Sequence, residues 1–541
     1  MLADKKNSAF TPFQYQAFTI LWLAALFSNI GTWMHSVGAS WLMATLSTSP
    51  FMVSLVQTAT TLPVFFFALP AGALADIFHR RTILLIVNAY MGIAATLFAL
   101  LVWQDCMNPS LLLILTLLMG TGTAFMAPAW QAVMPALVPK ETLPEAVALS
   151  GISVNVSRAI GPALAGIMIT GHNMASPFFA NALSYIVIIS ALLWCKKYLP
   201  YTPKKTPPER VRHAMKAGVR YAFHSTPLKA TMLHALGFMF CANSFWGMLP
   251  IITKEVLHGD ASFFGMLMAA VGLGAVTGAL VMPKLNTRLH ANHLTLLGTL
   301  CTAGVCAYYS VPHFKWLMIF ASFIFGIGWI FVISSVTVSA QQALPDWVRA
   351  RGLAIFLMIL FGGMSLGAAF WGWLAGVTSI QITMLASAIS SIIFIACVYR
   401  VKLQQGAMLD LTPSEHWPVP VVHENVHYDK GPVMITVSYQ VAHKHRHEFI
   451  KAIYDLKNVR LRSGAHHWGL FEDTEKQGHF TEYFLEDSWA AHIHHHERVS
   501  NADIPLQDKV NALHEGEGAP KVFHNVAVYP EKKKKEKKRS R

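Results

Sequence analysis

Arg158 is the residue whose position most needs explaining. It lies in the middle of an apolar stretch from 147 to 170, and an arginine at the centre of a bilayer costs about 2.5–3.5 kcal/mol on insertion scales unless it meets a partner or water. No aspartate or glutamate lies at comparable depth in any apolar stretch. Its counter-groups are therefore backbone or amide oxygens, or an anionic ligand such as a catecholate or carboxylate. A permanent hydrogen-bonded clamp between helices is the other reading. Amides also fall in or beside the apolar stretches, among them Gln131, Asn155, Asn181, Asn243, Gln341 and Gln342. A buried amide needs hydrogen-bond partners, and the paired placing of Gln131 and Gln341–Gln342 suggests a midplane ring that contacts a substrate. Trp33, Phe125, Trp130, Phe245, Trp246, Trp329 and Phe370 can wall such a site for an apolar ligand. The same residue types also serve as glue between membrane helices and as interfacial anchors.

A second set of reactive side chains lies after residue 400, where 15 of the 25 histidines fall. His492 and His496 share a helix face at i, i+4, a spacing that can chelate zinc, copper or iron. His466, His467 and His479 fall on neighbouring strands. No cysteine or carboxylate stands in an obvious ligand register, which favours a solvated polar surface and no metal. No nucleophile or cofactor motif stands out, so no catalytic residue and no cofactor are expected. The six cysteines lie in or beside apolar runs without CxxC or Cys/His spacing, which leaves disulfide and zinc readings unsupported.

The elements that must position these groups follow from composition. Of 541 residues, 54% are hydrophobic and 13% charged, against about 25% charged in a typical soluble domain. Residues 1–400 hold 22 Lys+Arg and 9 Asp+Glu; residues 401–541 hold the remaining 20 and 19. Such a charge-poor 400-residue stretch excludes a soluble enzyme, a secreted disulfide scaffold and a disordered chain. A crossing takes about 20 apolar residues, and twelve are read: 15–41, 50–74, 82–103, 110–136, 147–170, 176–196, 229–251, 261–283, 293–312, 315–338, 351–374 and 377–400. The first is read as a crossing rather than a removable signal, since no small-residue cleavage site follows it. Of the 22 basic residues, Lys254 and Lys315 fall in odd-numbered loops and Arg158 inside a crossing. The other 19 lie on the side of the termini. By the positive-inside rule both termini are cytoplasmic.

The fold expected is an all-α membrane protein of twelve transmembrane helices in two six-helix pseudo-repeats, with a small soluble α+β domain. The halves are 1–196 and 229–402, joined by a basic cytoplasmic linker, 197–228, in which 210–223 can form an amphipathic helix on anionic lipid. Four pattern pairs recur in one order across the halves: Gly72-Ala-Leu with Gly278-Ala-Leu, Gly120-x-Gly with Gly326-x-Gly, Gln131-x3-Pro with Gln341-x3-Pro, and Gly161-x4-Gly with Gly362-x4-Gly. Such repeats, rich in small-xxx-small pairs that let helices approach, suggest a transporter whose halves rock about a midplane site. After a linker, 403–432, residues 433–530 alternate as β-α-β-β-α-β, with strands at 433–439, 464–472, 480–486 and 522–529. This order resembles a ferredoxin-like domain of the antibiotic-biosynthesis monooxygenase kind, which implies pairing of two copies through their sheets. Residues 531–541 read as a basic disordered end, suited to anionic lipid or simply solvated. The charge of +14 is dense only at that tip, so no nucleic-acid partner is expected.

The loop Gly72-Ala-Leu-Ala-Asp76-Ile-Phe-His-Arg80-Arg81 resembles motif A of the major facilitator superfamily, with Ile77 and His79 departing from it. Asp76 at a helix end can pair with Arg80, Arg81 or a neighbouring helix start, a latch that switching would break. The segment Gly161-Pro162-Ala-Leu-Ala-Gly166 resembles antiporter motif C, in which proline and small residues bend a helix and admit its neighbour. Asn29-Ile-Gly-Thr-Trp-Met, Ala127-Pro-Ala-Trp-Gln131, Asn155-Val-Ser-Arg158 and Gln341-Gln-Ala-Leu-Pro are similar to the bacterial transmembrane secretion effector branch, which includes the enterobactin exporter. The resemblance covers about residues 10–400. It implies efflux of a hydrophobic or siderophore-like small molecule from the cytoplasm across the bacterial inner membrane, with proton uptake. It places Asn29 and His35 on a span that lines the cavity, and assigns gating to Gly72, Asp76, Arg80, Arg81, Gly161, Pro162 and Gly166. Proton coupling needs a group that titrates near the working pH. His35 and Asp76 are the leading choices, with His234, Glu145, Glu255 and Asp346 behind them. A membrane-tethered oxidoreductase that uses the soluble tail, and an uptake permease, are the alternatives.

Overall fold

In hydrocarbon every backbone N–H and C=O must be satisfied within its own segment, and the apolar stretches accordingly form long helices. The computed structural model describes residues 10–133, 137–198, 211–311, 314–345, 347–403, 410–412, 414 and 430–528. They fall into two compact units, one of residues 1–211, 230–342 and 350–406, the other of 212–229, 343–349 and 407–541. The basic end at 531–541, Asp346 and most of the 403–432 linker lie outside the described residues.

The first unit is a helix bundle. Its first half comprises α1 (Gln16–Leu46), α2 (Pro50–Ile77), α3 (Arg80–Trp103), α4 (Pro109–Val133), α5 (Leu143–Gly171) and α6 (Ser176–Trp194). After α7 (Val211–His224) come α8 (Thr226–Ile251), α9 (Ala261–Asn286), α10 (Ala291–Tyr309), α11 (Lys315–Gln342), α12 (Arg349–Val377) and α13 (Ile380–Val398). Local chemistry starts three of these helices just after tight turns. Ser49, Asp260 and Ser379 each accept a backbone N–H three residues on, from Met52, Phe263 and Ile382, the N-cap role of short polar side chains. Pro50 at the start of α2 gives up an N–H that has no helical partner in any case.

Eleven of these helices are long and apolar enough to cross a membrane, so the chain is a multi-pass membrane protein. Besides the short α7, the helix outside that set is α10, where the sequence reading places a ninth crossing at 293–312. Its polar residues, Asn292 and His293 foremost, lower its hydropathy, while two of its buried threonines are satisfied: Thr299 and Thr302 donate to the carbonyls of Thr295 and Gly298 at 2.7 and 3.0 Å. Its Gly298 meets Gly328 of α11 so closely that a β-carbon there would sit 2.4 Å from the Gly328 carbonyl oxygen. In the first half α1 packs on α5 and α6, and α3 on α4 and α6; in the second, α11 packs on α9 and α10.

The second unit contains a four-stranded antiparallel sheet: β1 (Val433–Gln440), β2 (His466–Glu472), β3 (His479–Glu486) and β4 (Lys521–Val526), in the order β2-β3-β1-β4. Helices α14 (Arg446–Ser463), α15 (Trp489–Arg498) and α16 (Ile504–Ala512) complete it. Alternate residues of β1 and β3 face a core with Phe449, Ile453, Leu456 and Trp489. The core face of β3 also carries two buried glutamates. Glu482 pairs with Arg460 at 3.3 Å and accepts from Tyr439 and Trp468 at 3.1 and 2.9 Å. The same unit includes α7 and residues 343–349: the Tyr221 hydroxyl donates to the Ala343 carbonyl at 2.9 Å, and the Arg498 guanidinium lies 4.5 Å from the Trp347 ring centroid.

A buried ion pair broken on one side leaves an uncompensated charge, at a cost of about 3–5 kcal/mol. Glu482→Ala is therefore expected to expose β1 and β3 to amide hydrogen exchange while the membrane helices keep their protection. Unchanged exchange in residues 433–440 and 479–486 would show that the pair does not hold this domain.

Candidate functional site

At one end of the bundle the two halves meet backbone to backbone. This end carries the turns after α1, α5, α8 and α12. A β-carbon on Gly166 of α5 would sit 2.7 Å from the Ala261 carbonyl oxygen of α9, and one on Gly265 would sit 2.6 Å from the Pro162 carbonyl oxygen. Only residues without side chains allow such an approach. On the other side of the interface Thr61 and Ser365 share a 2.7 Å hydroxyl contact, and Thr58 donates to the Ser365 carbonyl at 3.2 Å. Lys254 donates to the Ala44 carbonyl at 2.7 Å, and Trp41 stacks on Phe264. Gly161 faces α1 instead, where a β-carbon would lie 2.6 Å from that of Trp33.

The other end holds a cavity of about 440 Å³ within the first half, lined by Trp22, Ser28 and Asn29 of α1, Asn88 of α3, Trp130 and Gln131 of α4, and Ser150 and Val154 of α5 among others. Trp22 is fixed by its indole N–H, which donates to the Leu149 carbonyl at 2.9 Å. Asn88 donates to the Leu84 carbonyl at 2.7 Å, and its side-chain oxygen is buried without a partner. One helical turn beyond Val154, at the mid-length of α5, the Arg158 guanidinium carbon lies 5.4 Å from the Trp33 ring centroid. Its Nε is buried and unpartnered. Among the described residues of the first half the carboxylates stand near helix ends and in turns, at Asp76, Asp105, Glu141 and Glu145, and none lies at the depth of this cation. Amides and hydroxyls grading into one cation suit an oxygen-rich anion.

The structure brings Asn29 and Gln131 together in this cavity and places the other expected residues elsewhere. Asn155, next to it on α5, donates to the Gly151 carbonyl at 3.0 Å. Asn181 and Asn243 are fully buried between helices, Asn181 beside Gly31 of α1, while Gln341 and Gln342 are exposed at the last turn of α11. These amides therefore form no midplane ring. His35 is buried between the rings of Phe98 and Phe178, at 4.7 and 5.0 Å, and neither ring nitrogen has a partner. His234 bonds the Val401 carbonyl at 2.8 Å. The aromatic wall divides. Trp130 lines the cavity, whereas Phe245, Trp246 and Trp329 cluster with Phe325 in the second half. Around motif A, Arg81 donates from Nε to the Leu192 carbonyl at 2.7 Å, no atom of the described residues lies within 4 Å of the β-carbon position of Gly72, and Arg80 is exposed. The Asp76 side chain lies outside the described residues. Asn88 escaped the sequence reading, although an amide in an apolar stretch was the available signal.

The tail histidines depart from the expectation of a solvated surface. His492 and His495 are 1% and 0% exposed. Both turn inward because α15 packs its face on β3, where Glu486 accepts from Nδ1 of His492 at 3.0 Å and pairs with Nδ1 of His495. Burial alone would raise the Glu486 carboxyl, but His495 and His492 hold it below its ordinary range. Burial foremost, then His492 and His495, depress His496 to about 4. His492, His496 and His524 each offer a ring nitrogen, all within 4.8 Å of one another.

Comparison with known proteins places this geometry in a lineage. The sequence pattern of the family described as transmembrane secretion effector matches residues 7–532. The chain is 24% identical over 389 residues to the staphyloferrin A transporter of Staphylococcus aureus, covering 72% of this chain and 96% of that one. It is 27% identical over 386 residues to the enterobactin exporter EntS of Escherichia coli, covering 70% and 88%. Among solved structures, a POT family transporter in complex with a thioalcohol-conjugated peptide aligns with a TM-score of 0.59 at 12% identity, over 72% of this chain and 97% of that one. A bacterial homolog of the human lysosomal transporter Spinster aligns at 0.57 and 14%, over the same shares. These two likenesses concern the fold.

A leucine at Gly166 cannot fit against the Ala261 carbonyl, so Gly166→Leu is expected to disfavour closure of this end. A cysteine at Gln131, in a chain whose native cysteines are replaced by serine, should then react several times more slowly with an aqueous maleimide. An unchanged rate would separate this contact from access to the cavity.

Proposed function

The chain belongs to the transmembrane secretion effector family of the major facilitator superfamily, a family of transporters rather than enzymes, and from that premise we propose that it exports an anionic, siderophore-like small molecule by alternating access. The observation that carries this reading is Arg158, a guanidinium with an unpartnered nitrogen one turn from an amide-lined cavity. A catecholate or carboxylate arriving there exchanges water for charge-assisted hydrogen bonds. The 19-to-2 bias of basic residues puts the termini in the cytoplasm. On that orientation the cavity opens inward and the glycine-packed end seals the outer side, so this conformation is the one that loads an exporter. Switching then separates Gly166 and Gly265 while Gly72, Asp76, Arg80 and Arg81 latch the inner side. All twelve long helices of the bundle cross on this reading, α10 with them.

Proton antiport is the proposed coupling, through His35. An imidazole with two unpartnered nitrogens between Phe98 and Phe178 gains a proton only if its surroundings move, which ties protonation to helix movement. Asp76 is the second coupling group. The tail is proposed to be a ferredoxin-like domain that pairs two copies through the open face of its sheet. The exposure of Met434, Phe471 and Phe523, all on that face, supports this.

Inverted membrane vesicles energised with an inward-acid pH gradient should accumulate a labelled tricatecholate or citrate-based siderophore. Arg158→Ala should reduce that uptake to background while the protein still inserts, and Arg158→Lys should restore part of it. Accumulation only in right-side-out vesicles would reverse the direction, and equal flux through Arg158→Ala would remove Arg158 from the site. Collapsing the gradient should stop pumping; undiminished accumulation would exclude proton coupling. Deleting residues 405–541 should leave flux intact, and chemical conversion of the ligand without transport would instead favour a membrane-tethered oxidoreductase.

A further inference from the structure

The sheet register brings a third imidazole to the pair on α15. His524 of β4 stands opposite Ile435 of β1, and Ile435 is a core-facing residue. His524 therefore points to the side covered by α15, and its ring centroid lies 4.7 Å from that of His492. On α15, Nε2 of His496 approaches Nε2 of His492 to 3.2 Å. Tetrahedral zinc with Zn–N bonds of about 2.0–2.1 Å separates its ligand nitrogens by roughly 3.3 Å, close to the 3.2 Å of this pair, and a ring nitrogen of His524 lies within 4.8 Å of both. Behind the pair Glu486 accepts the Nδ1 proton of His492. That contact fixes the tautomer, so the Nε2 lone pair of His492 points at the other two rings. A carboxylate behind a ligating histidine is the usual outer shell of a protein metal site.

We propose that His492, His496 and His524 form a binding site for one divalent transition-metal ion of the imidazole-preferring kind, zinc or copper, with Glu486 as the orienting outer-shell carboxylate. Three neutral nitrogen ligands leave a fourth position for water or another donor. On coordination the proton on Nε2 of His496 moves to Nδ1 of the same ring, so His496 binds as a neutral imidazole. His496 and His524 are half-buried rather than sealed, which provides the entry path. The site does not depend on the transport reading.

The test uses the full-length protein in detergent, stripped with chelator, loaded with zinc, desalted and assayed for retained metal, with cobalt as a spectroscopic probe. The expected result is about one zinc per chain and the visible absorption of tetrahedral cobalt. His524→Ala and His496→Gln should each abolish retention. His443→Ala, an exposed histidine elsewhere in the domain, should keep it. Glu486→Gln retains all three imidazoles and should weaken affinity about 10–100-fold. Amide exchange of β1 confirms that each variant is folded; if His496→Gln is not, His524→Ala on the edge strand decides. No retained zinc in the wild-type protein, or retention unchanged in folded His524→Ala, would overturn the proposal.

Discussion

Lipid tails are as apolar as leucine, so a membrane offers little hydrophobic drive to press one helix on another, and association rests on close packing and hydrogen bonds. That constraint shapes the bundle. Its halves hold together where Gly166, Gly265 and Gly272 let the α5 and α9 backbones meet, and where Thr58, Thr61 and Ser365 exchange hydroxyl contacts between α2 and α12. Both sets are short-range and directional.

A bundle sealed in this way can keep groups that a static helix packing would discard. Asn88 retains a buried oxygen without a partner, and Arg158 a buried nitrogen. Each such group costs free energy in the absence of a ligand or water. Their position beside a cavity of about 440 Å³ with Asn29, Trp130 and Gln131 is what a ligand-dependent site requires. Asn181 and Asn243 also keep a buried atom without a partner, Nδ2 and Oδ1, but they lie between helices and not on this cavity.

The second unit solves a similar problem in another way. Its strand β3 turns Glu482 and Glu486 toward the core, and each is answered by cationic or protonatable partners from α14 or α15. The family pattern runs to residue 532, whereas the relatives of Staphylococcus aureus and Escherichia coli are covered at 96% and 88% of their lengths by 72% and 70% of this chain. The second unit, within the span of the family pattern, is built around two buried glutamates with partners of opposite charge or protonatable rings.

Hydropathy period and length were enough to make the long helices and their order legible, because a bilayer demands the same apolar run wherever the helix lies. Alternation likewise exposed the four strands of the tail, whose observed bounds differ from the expected ones by a few residues. Facing direction was not legible. Asn29 and Asn181 are both amides in apolar runs, and only the packing of α1 against α5 and α6 decides that one lines a cavity and the other is enclosed. His524 follows His496 by 28 positions, and only the β1–β4 register sets them side by side. A sequence specifies which groups each element carries; contact between distant groups is a property of how elements rotate and pair, set by many small packing terms that no local pattern records.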